Sequence, residues 1–317
     1  MKKLLIILIS ALFLLSSCSK EEVIKESRIV MGTVVTLTFY SKQDSKVIDD
    51  AFSALYQLER DISFHNDSSY ISKINENAGK EAVEVPEYVF ELIKRSIKLS
   101  RETDSLFNPL MGAVTSLWNI GSENARRPLD EEIADAITLT DIDDIVLNEE
   151  DSTVFLKKSG MKFDLGAIGK GYATEVLKAL YRERGIANAL INLGGNVYAM
   201  GTKPDGSSYK IGIANPDGGA YLTTLSLKDE AVVTSGAYER YSVLDGVKYH
   251  HIFSSSGYPS DSDLLSATLV NEDAILADAL STAAFVAGSA GAEDLSKRFG
   301  VEIITYSKDR ELRFYEP

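Results

Sequence analysis

The chain is poor in cysteine: its 317 residues include a single one, Cys18. A lone cysteine excludes an internal disulfide, a thiolate zinc cluster and an attached haem, so the fold must be stabilised by its hydrophobic core. Positive charge is also scarce, because 33 Lys and Arg residues stand against 47 Asp and Glu residues, giving a net charge of −14. This balance argues against nucleic acid as a partner. The sequence also lacks a dinucleotide fingerprint, a Walker loop and an HExxH motif.

The N-terminal residues have the features of an export signal. Lys2 and Lys3 precede an apolar run from Leu4 to Leu15, which is too short to span a bilayer and is typical of a signal peptide. The run leads into Leu-Ser-Ser-Cys at residues 15–18, which resembles the bacterial lipobox. This resemblance implies cleavage before Cys18 and a lipid on that cysteine. An ordinary secretory signal with an incidental cysteine is the alternative.

We therefore expect a signal peptide over residues 1–17, a lipid-anchored tether over residues 18–27 and one folded domain over residues 28–317. The tether is polar and charged, which is typical of a flexible segment. The expected location is the cell envelope, with the protein anchored by lipid to a bacterial membrane and facing outside the cytoplasm.

Apolar periodicity predicts a mixture of helices and strands along the folded part. No internal repeat and no linker divides it, and the two kinds of element alternate irregularly. We therefore predict a single compact mixed α+β domain rather than a doubly wound parallel sheet. The predicted helices cover residues 44–61, 86–103, 169–184, 273–286 and 291–299, with a short helix before residue 75; the predicted strands cover residues 28–40, 145–156 as a hairpin, 189–193, 302–306 and much of 209–251.

A glycine-rich segment, Met161–Ala173, joins a predicted strand to a predicted helix. Its three glycines let the backbone approach a ligand, and the helix N-terminus offers free N–H groups and positive potential, which suit a phosphate. Asp164 stands between two apolar residues, so we expect a buried carboxylate that binds a ligand or, alternatively, caps the helix. Lys170 is a candidate phosphate contact, with an ordinary surface lysine as the alternative.

A candidate cation site lies far along the chain from this segment. Asp278 and Thr282 are four residues apart on a predicted helix and therefore share a face. A carboxylate and a hydroxyl on one face suit Mg²⁺, which prefers oxygen ligands and takes few protein carboxylates. Two polar residues whose hydrogen bonds are already satisfied are the alternative.

Only three histidines are present, and two of them are adjacent. A strand through Tyr249–Phe253 would place His250 and His251 on opposite faces. A histidine in a cleft can act as a general base near neutral pH. A core histidine bonded to the backbone is the alternative.

Taken in order, these segments resemble the ApbE family, the FAD:protein FMN transferases, in their lipoprotein form. The matching segments run from near the mature N-terminus almost to the end of the chain. They are Met31–Thr33; Ser63–Ser68 with Ile71, Ile74 and Asn75; Phe107–Pro109 with Gly112, Leu117 and Trp118; Asp164–Ala173; Asn192–Asn196; Ser235–Arg240; His251–Ile252 with Gly257–Pro259; and Ala277–Ala283.

The resemblance implies an α+β domain that binds FAD and Mg²⁺, splits the FAD pyrophosphate, joins FMN through its phosphate to a threonine of a target protein, and releases AMP. The implied targets are exported flavoproteins, including subunits of membrane redox complexes. The family's residues, matched by motif, are the Mg²⁺ ligands Ala167 (through its carbonyl), Asp278 and Thr282; the FAD contacts Met31, Phe64, Leu106, Phe107, Asn108, Asp164, Lys170 and Phe253; and His251 as proton acceptor.

Two segments depart from the family pattern. Ser281 stands where some members have an acid, so it is a candidate cation ligand of weaker kind. The family's Asp-Pro after the histidine and isoleucine is replaced by Ser254 and Ser255, so serines must supply that acid's contribution or it is absent. Two other functions fit the same residues: hydrolysis of FAD to FMN and AMP, and FAD binding by a non-catalytic lipoprotein.

Overall fold

The computed structural model describes residues 23–42 and 44–317. The predicted signal peptide and Cys18 lie outside the described residues, so cleavage and lipidation remain predictions.

An eight-stranded antiparallel sheet forms the centre of the molecule, in the order β1-β2-β6-β7-β10-β13-β14-β15. A three-stranded sheet, β3-β5-β4, and two hairpins, β8-β9 and β11-β12, lie outside it. The strands of the described residues are β1 (Ile24–Val30), β2 (Thr33–Phe39), β3 (Val83–Glu84), β4 (Ile145–Asn148), β5 (Thr153–Leu156), β6 (Ala189–Leu193), β7 (Asn196–Met200), β8 (Tyr209–Ile213), β9 (Thr223–Leu227), β10 (Glu230–Gly236), β11 (Tyr241–Leu244), β12 (Val247–His250), β13 (Leu264–Asn271), β14 (Glu302–Ser307) and β15 (Leu312–Tyr315).

Amphipathic helices pack their apolar stripes against the sheet and against one another. The helices of the described residues are α1 (Ile48–Ile62), α2 (Tyr70–Glu76), α3 (Glu87–Glu102), α4 (Gly112–Trp118), α5 (Asp130–Ile137), α6 (Gly169–Glu183) and α7 (Ala274–Phe299), with 3₁₀ helices at Asp44–Val47 and Ile142–Asp144. Helix α7 is long and apolar enough to span a membrane by composition, but more than half of its most apolar 18-residue stretch is buried, and the helix packs on β10, β13 and β14. It is therefore a core helix.

The predicted strand over residues 28–40 is wrong, because two strands stand there. Strands β1 and β2 form a hairpin that turns at Met31 and Gly32, both with positive φ (55° and 68°). The alternation of apolar residues continues across this two-residue turn, and a methionine gives no signal for it. Strand β1 also begins at Ile24. The last residues assigned to the tether therefore belong to the sheet, because each of them pairs with a residue of β2.

The helices predicted over 273–286 and 291–299 are joined in α7 with a kink between them, at Gly288, which has φ 72° and ψ −176°. The predicted helix over 291–299 continues directly from the kink. Helices α4 and α5 and strands β3, β7, β13 and β15 were not predicted. Of these, α5 buries only Ile133 and Ala136, and β15 pairs as an edge strand with β14, so neither has a strong apolar period.

Several strand ends meet at one edge of the central sheet. The β1–β2 turn touches the β6–β7 turn, because a Cβ on Gly194 would lie 2.0 Å from Thr33 Oγ1. Strand β10 ends at the same edge, since Val232 pairs with Val197 near the start of β7. The N-terminus of α6 and the first turns of α7 lie beside this edge, and they carry the predicted site.

Candidate active site

The site is built on a very close approach of α6 and α7 at Gly171. Its backbone N–H, one of the first-turn groups without a helical acceptor, donates to Asp278 Oδ2 at 2.8 Å. A Cβ at this position would lie 2.3 Å from Ala274 O and 2.9 Å from Asp278 Cβ. Only glycine allows the two backbones to come this near, and the contact holds a carboxylate at the start of the glycine-turn helix.

Asp278 is 3% exposed and has partners on both oxygens. Oδ1 accepts a hydrogen bond from Asn196 Nδ2 at 2.8 Å, and Lys170 Nζ lies 3.9 Å from the same oxygen. Buried carboxylates need such donors or a cation. The Lys170 ammonium therefore lies beside Asp278 at the site. This position differs from that of an ordinary surface lysine, which was the alternative.

Next to Asp278, three hydroxyl groups form a chain. Ser281 Oγ donates to the Asp278 carbonyl oxygen at 2.8 Å. Ser235 is the penultimate residue of β10. Its Oγ lies 2.8 Å from Ser281 Oγ and 3.2 Å from Thr282 Oγ1. Sequence reasoning assigned no role to Ser235, although it opens one of the matched segments.

The Ala167 carbonyl oxygen, the predicted backbone ligand, accepts no hydrogen bond from any residue of 23–42 or 44–317. It precedes the helix by two residues, and Gly171 N is already bonded to Asp278. In these same ranges no three His, Cys, Asp or Glu side chains cluster as a metal site would. A cation here would have one carboxylate, hydroxyl groups and a carbonyl as ligands. This set fits Mg²⁺, which retains waters and substrate phosphates.

Asp164 lies two residues before Gly166 of the glycine turn and is half-buried. Its Oδ1 accepts from Gly166 N at 2.9 Å, and its Oδ2 accepts from Thr115 Oγ1 at 3.0 Å. The alternative that it caps α6 is wrong, since the N-cap residue is Ile168 and has no side-chain bond. The carboxylate instead holds the turn in shape and keeps lone pairs for a ligand.

The predicted FAD contacts at residues 106–108 line a loop beside Asp164, whose N–H donates to Pro109 O at 2.8 Å. The Phe107 side chain lies in the core. The Asn108 side chain donates from Nδ2 to Thr140 O and accepts at Oδ1 from Leu110 N. Only the backbone of this loop and Leu106 remain to face a ligand.

Met31 and Phe64 belong to two segments near the start of α6. A Cβ on Gly169 would lie 3.7 Å from Met31 Cε and 3.6 Å from Ile62 Cδ1. Phe64 follows Ile62 by two residues, is half-buried and stacks edge-on against His65 with ring centroids 5.2 Å apart. Both predicted apolar contacts therefore belong to segments that adjoin the N-terminus of α6.

His251 follows directly on β12, one residue after the strand ends. Its Nδ1 lies 3.0 Å from Arg240 O, a carbonyl that can only accept, so Nδ1 carries the hydrogen and Nε2 carries the lone pair. Burial, reinforced by the Arg240 charge, lowers the pKa of His251 to about 3. The imidazole is therefore neutral at neutral pH, as a proton acceptor must be. His250 instead has its Nε2 within hydrogen-bond distance of Ser260 O, at 3.0 Å, and packs on Phe285. It therefore has the role of a core histidine bonded to the backbone.

Phe253 is not brought into the Asp278 cluster. It packs on Trp118 with ring centroids 6.0 Å apart and forms a bridge with Pro259. In the loop after it, Ser254 Oγ lies 2.7 Å from Ser256 Oγ, and Ser254 N donates to Tyr258 O. Ser254, one of the two serines that replace the family's Asp-Pro, thus holds this turn by hydrogen bonds with Ser256 and Tyr258.

Glu239 is a further acid near the site that sequence reasoning missed. Desolvation of its carboxyl by the surrounding protein raises the pKa of Glu239. The negative charge of Asp278 also raises this pKa, while the positive charge of Lys170 lowers it. It lies in the segment that links the hydroxyl group of Ser235 to Arg240, the hydrogen-bond partner of His251.

Comparisons with known proteins identify relatives of this chain in sequence and in fold. The profile of the ApbE family matches residues 31–305. A Klebsiella pneumoniae (strain 342) protein described as an FAD:protein FMN transferase is 34% identical over 303 residues, which is 94% of each chain. A Treponema pallidum (strain Nichols) protein of the same description is 32% identical over 331 residues, 97% of this chain and 91% of its own. The solved ApbE protein of Thermotoga maritima superimposes with a TM-score of 0.85 at 33% identity, covering 93% of this chain and 97% of its own.

Fold and site together define a single mixed α+β enzyme domain in which a helix N-terminus meets a buried carboxylate. The chain belongs to the ApbE family. The predicted fold class and the resemblance found from the sequence are both confirmed.

Proposed function

We propose that this protein transfers FMN from FAD to a threonine hydroxyl of a target flavoprotein, with Mg²⁺ bound and AMP released. The transferase activity is supported by the relatives described as FAD:protein FMN transferases. The observation that supports the proposal is the hydrogen bond from Gly171 N to Asp278 Oδ2. It joins the carboxylate proposed to bind the cation to a helix N-terminus, a common binding place for phosphate.

The proposed Mg²⁺ ligands are Asp278, Thr282 and the Ala167 carbonyl. When bound, Mg²⁺ neutralises negative charge on the pyrophosphate and on the departing phosphate. Lys170 and the N–H groups of α6 add positive potential at the same place, which matters in a chain of net charge −14. Asp164 and the neighbouring loop at 106–108 hold FAD, together with Met31, Phe64 and the segment around Phe253.

In the proposed reaction, the threonine oxygen attacks the phosphorus of the FMN half and the phosphoanhydride bond to AMP breaks. The hydroxyl proton passes to Nε2 of His251, which carries the free lone pair, and AMP leaves with the bonding electrons. The target remains a proposal of class only: an exported flavoprotein, such as a subunit of a membrane redox complex. A lipid on Cys18 would hold the enzyme at the membrane that carries such a complex.

Mass spectrometry of a candidate target tests this function. After incubation of enzyme, FAD, Mg²⁺ and a threonine-bearing target peptide, we expect the peptide to gain the mass of a phosphoester-linked FMN, with AMP formed in equal amount. The matched control is the same peptide with the threonine replaced by alanine. Free FMN and AMP without modified peptide would identify an FAD hydrolase, and FAD retained intact in Mg²⁺ would identify a binding protein.

The low pKa of His251 makes a prediction about pH. The neutral base is present above its pKa, and burial lowers that pKa from 6.5 to about 3. The value of kcat/KM, which reports the free enzyme, should therefore not fall through protonation of this histidine as pH drops from 8 to 5. His251→Gln should lose about 10²- to 10⁴-fold in transfer rate. The pH profile of the wild type, compared with His250→Gln, checks this; a limb near pH 6.5 that persists in His250→Gln contradicts it.

A further inference from the structure

We propose that Ser235 is a positioning residue that orients the Thr282 hydroxyl toward the cation, and that Ser281 anchors this arrangement instead of binding the cation itself. The hydroxyl chain consists of Thr282, Ser235, Ser281 and the Asp278 carbonyl. The inference rests on the proposed Mg²⁺ site and deepens it.

The direction of the chain follows from counting hydrogens. Each hydroxyl has one hydrogen to donate. Ser281 donates its hydrogen to the Asp278 carbonyl, which can only accept, so Ser281 must accept from Ser235. Ser235 has then spent its hydrogen and must accept from Thr282.

The count leaves the two hydroxyls of α7 in different states. Thr282 has directed its hydrogen toward Ser235, so its lone pairs are free for a cation on the side away from β10. Ser281 is 0% exposed, donates to one partner and accepts from another. A cation at Ser281 would have only the one remaining lone pair of a fully buried oxygen, whereas both lone pairs of Thr282 are unused. Outer partners of this kind fix the orientation of metal ligands and are typically worth 10- to 100-fold in metal affinity.

The test measures Mn²⁺ binding to the FAD-free protein, by the electron paramagnetic resonance signal of the free ion. Asp278→Ala defines the background from other acidic side chains. We expect Ser235→Ala to weaken the Asp278-dependent binding at least about tenfold. Ser235→Thr retains the hydroxyl and should restore it, while a role limited to packing would make both variants behave alike.

The chain offers a matched control one residue earlier. Thr234 precedes Ser235 on β10 and lies on the opposite face of the sheet, where its Oγ1 is 2.8 Å from Thr268 Oγ1 of the neighbouring strand β13. Thr234→Val removes a hydroxyl contact of 2.8 Å, the same distance as that between Ser235 Oγ and Ser281 Oγ. Because this contact does not involve α7, the variant should leave Mn²⁺ affinity unchanged. An equal loss in Thr234→Val and Ser235→Ala would overturn the proposal.

A double-mutant cycle separates an anchor from a ligand. If Ser281 acts only through Ser235, the variant Ser235→Ala/Ser281→Ala binds Mn²⁺ as Ser235→Ala does. If Ser281 binds the cation directly, the double variant loses a further factor equal to that of Ser281→Ala alone, and the assignment is wrong. Loss of binding in Asp278→Ala with wild-type affinity in Ser235→Ala refutes only this inference. Wild-type affinity in Asp278→Ala refutes the Mg²⁺ site itself.

Discussion

Replacing Asp278 with alanine is expected to reduce Mg²⁺-dependent FMN transfer by roughly 10³-fold or more, about 4 kcal/mol of transition-state stabilisation. The variant removes the only carboxylate among the proposed cation ligands and leaves Gly171 N and Asn196 Nδ2 without their acceptor. The effect should appear in kcat as well as in the Mg²⁺ concentration needed for half-maximal rate. Steady-state kinetics over a Mg²⁺ series measures both.

Asp278→Asn is the control that separates charge from shape. Its amide keeps the volume of the side chain and an oxygen for Gly171 N, but it loses the charge and places an N–H₂ group against Asn196 Nδ2. We expect it to fold and still lose most of the activity. Wild-type-like turnover of Asp278→Ala in excess Mg²⁺ would contradict the assignment of this residue.

The pair of elements that carries the site was predictable from the sequence. Helix α6 begins at Gly169, as the glycine-rich segment indicated, and Asp278 lies on a helix as its apolar neighbours indicated. Their contact was not predictable from periodicity, since 107 residues separate Gly171 from Asp278. It was expected only through the order of motifs that resembles the family.

Other parts of the site depend on tertiary contacts that leave no local pattern. The turn at Met31 was missed because the alternation of apolar residues continues through it. Ser235 looks like any serine at the end of a strand, and its partners Ser281 and Thr282 lie more than forty residues away. Asp164 was expected to be buried because its neighbours are apolar, yet the exposed turn at Gly166 keeps it half in solvent.

The geometry at Gly171 leads to a prediction about stability and activity together. A methyl group at this position would lie 2.3 Å from Ala274 O and 2.9 Å from Asp278 Cβ, neither of which can swing aside as a flexible side chain does. Gly171→Ala should therefore separate α6 from α7 and destabilise the fold by about 1–3 kcal/mol, the usual cost of overpacking. It should also lower kcat/KM by about 10²-fold, since a shift near 1 Å moves Asp278 away from Lys170 and the helix N-terminus.

Gly169→Ala is the matched control for the stability effect, because it adds the same methyl group two residues earlier in the same helical turn. There the new atom meets only Ile62 Cδ1 at 3.6 Å and Met31 Cε at 3.7 Å, which are ordinary contacts. Urea denaturation of both variants should therefore show a loss only in Gly171→Ala, while alanine at 169 gains helix propensity. Equal stabilities would mean that α6 and α7 can move apart freely. The close backbone approach would then not be what places the carboxylate at the start of α6.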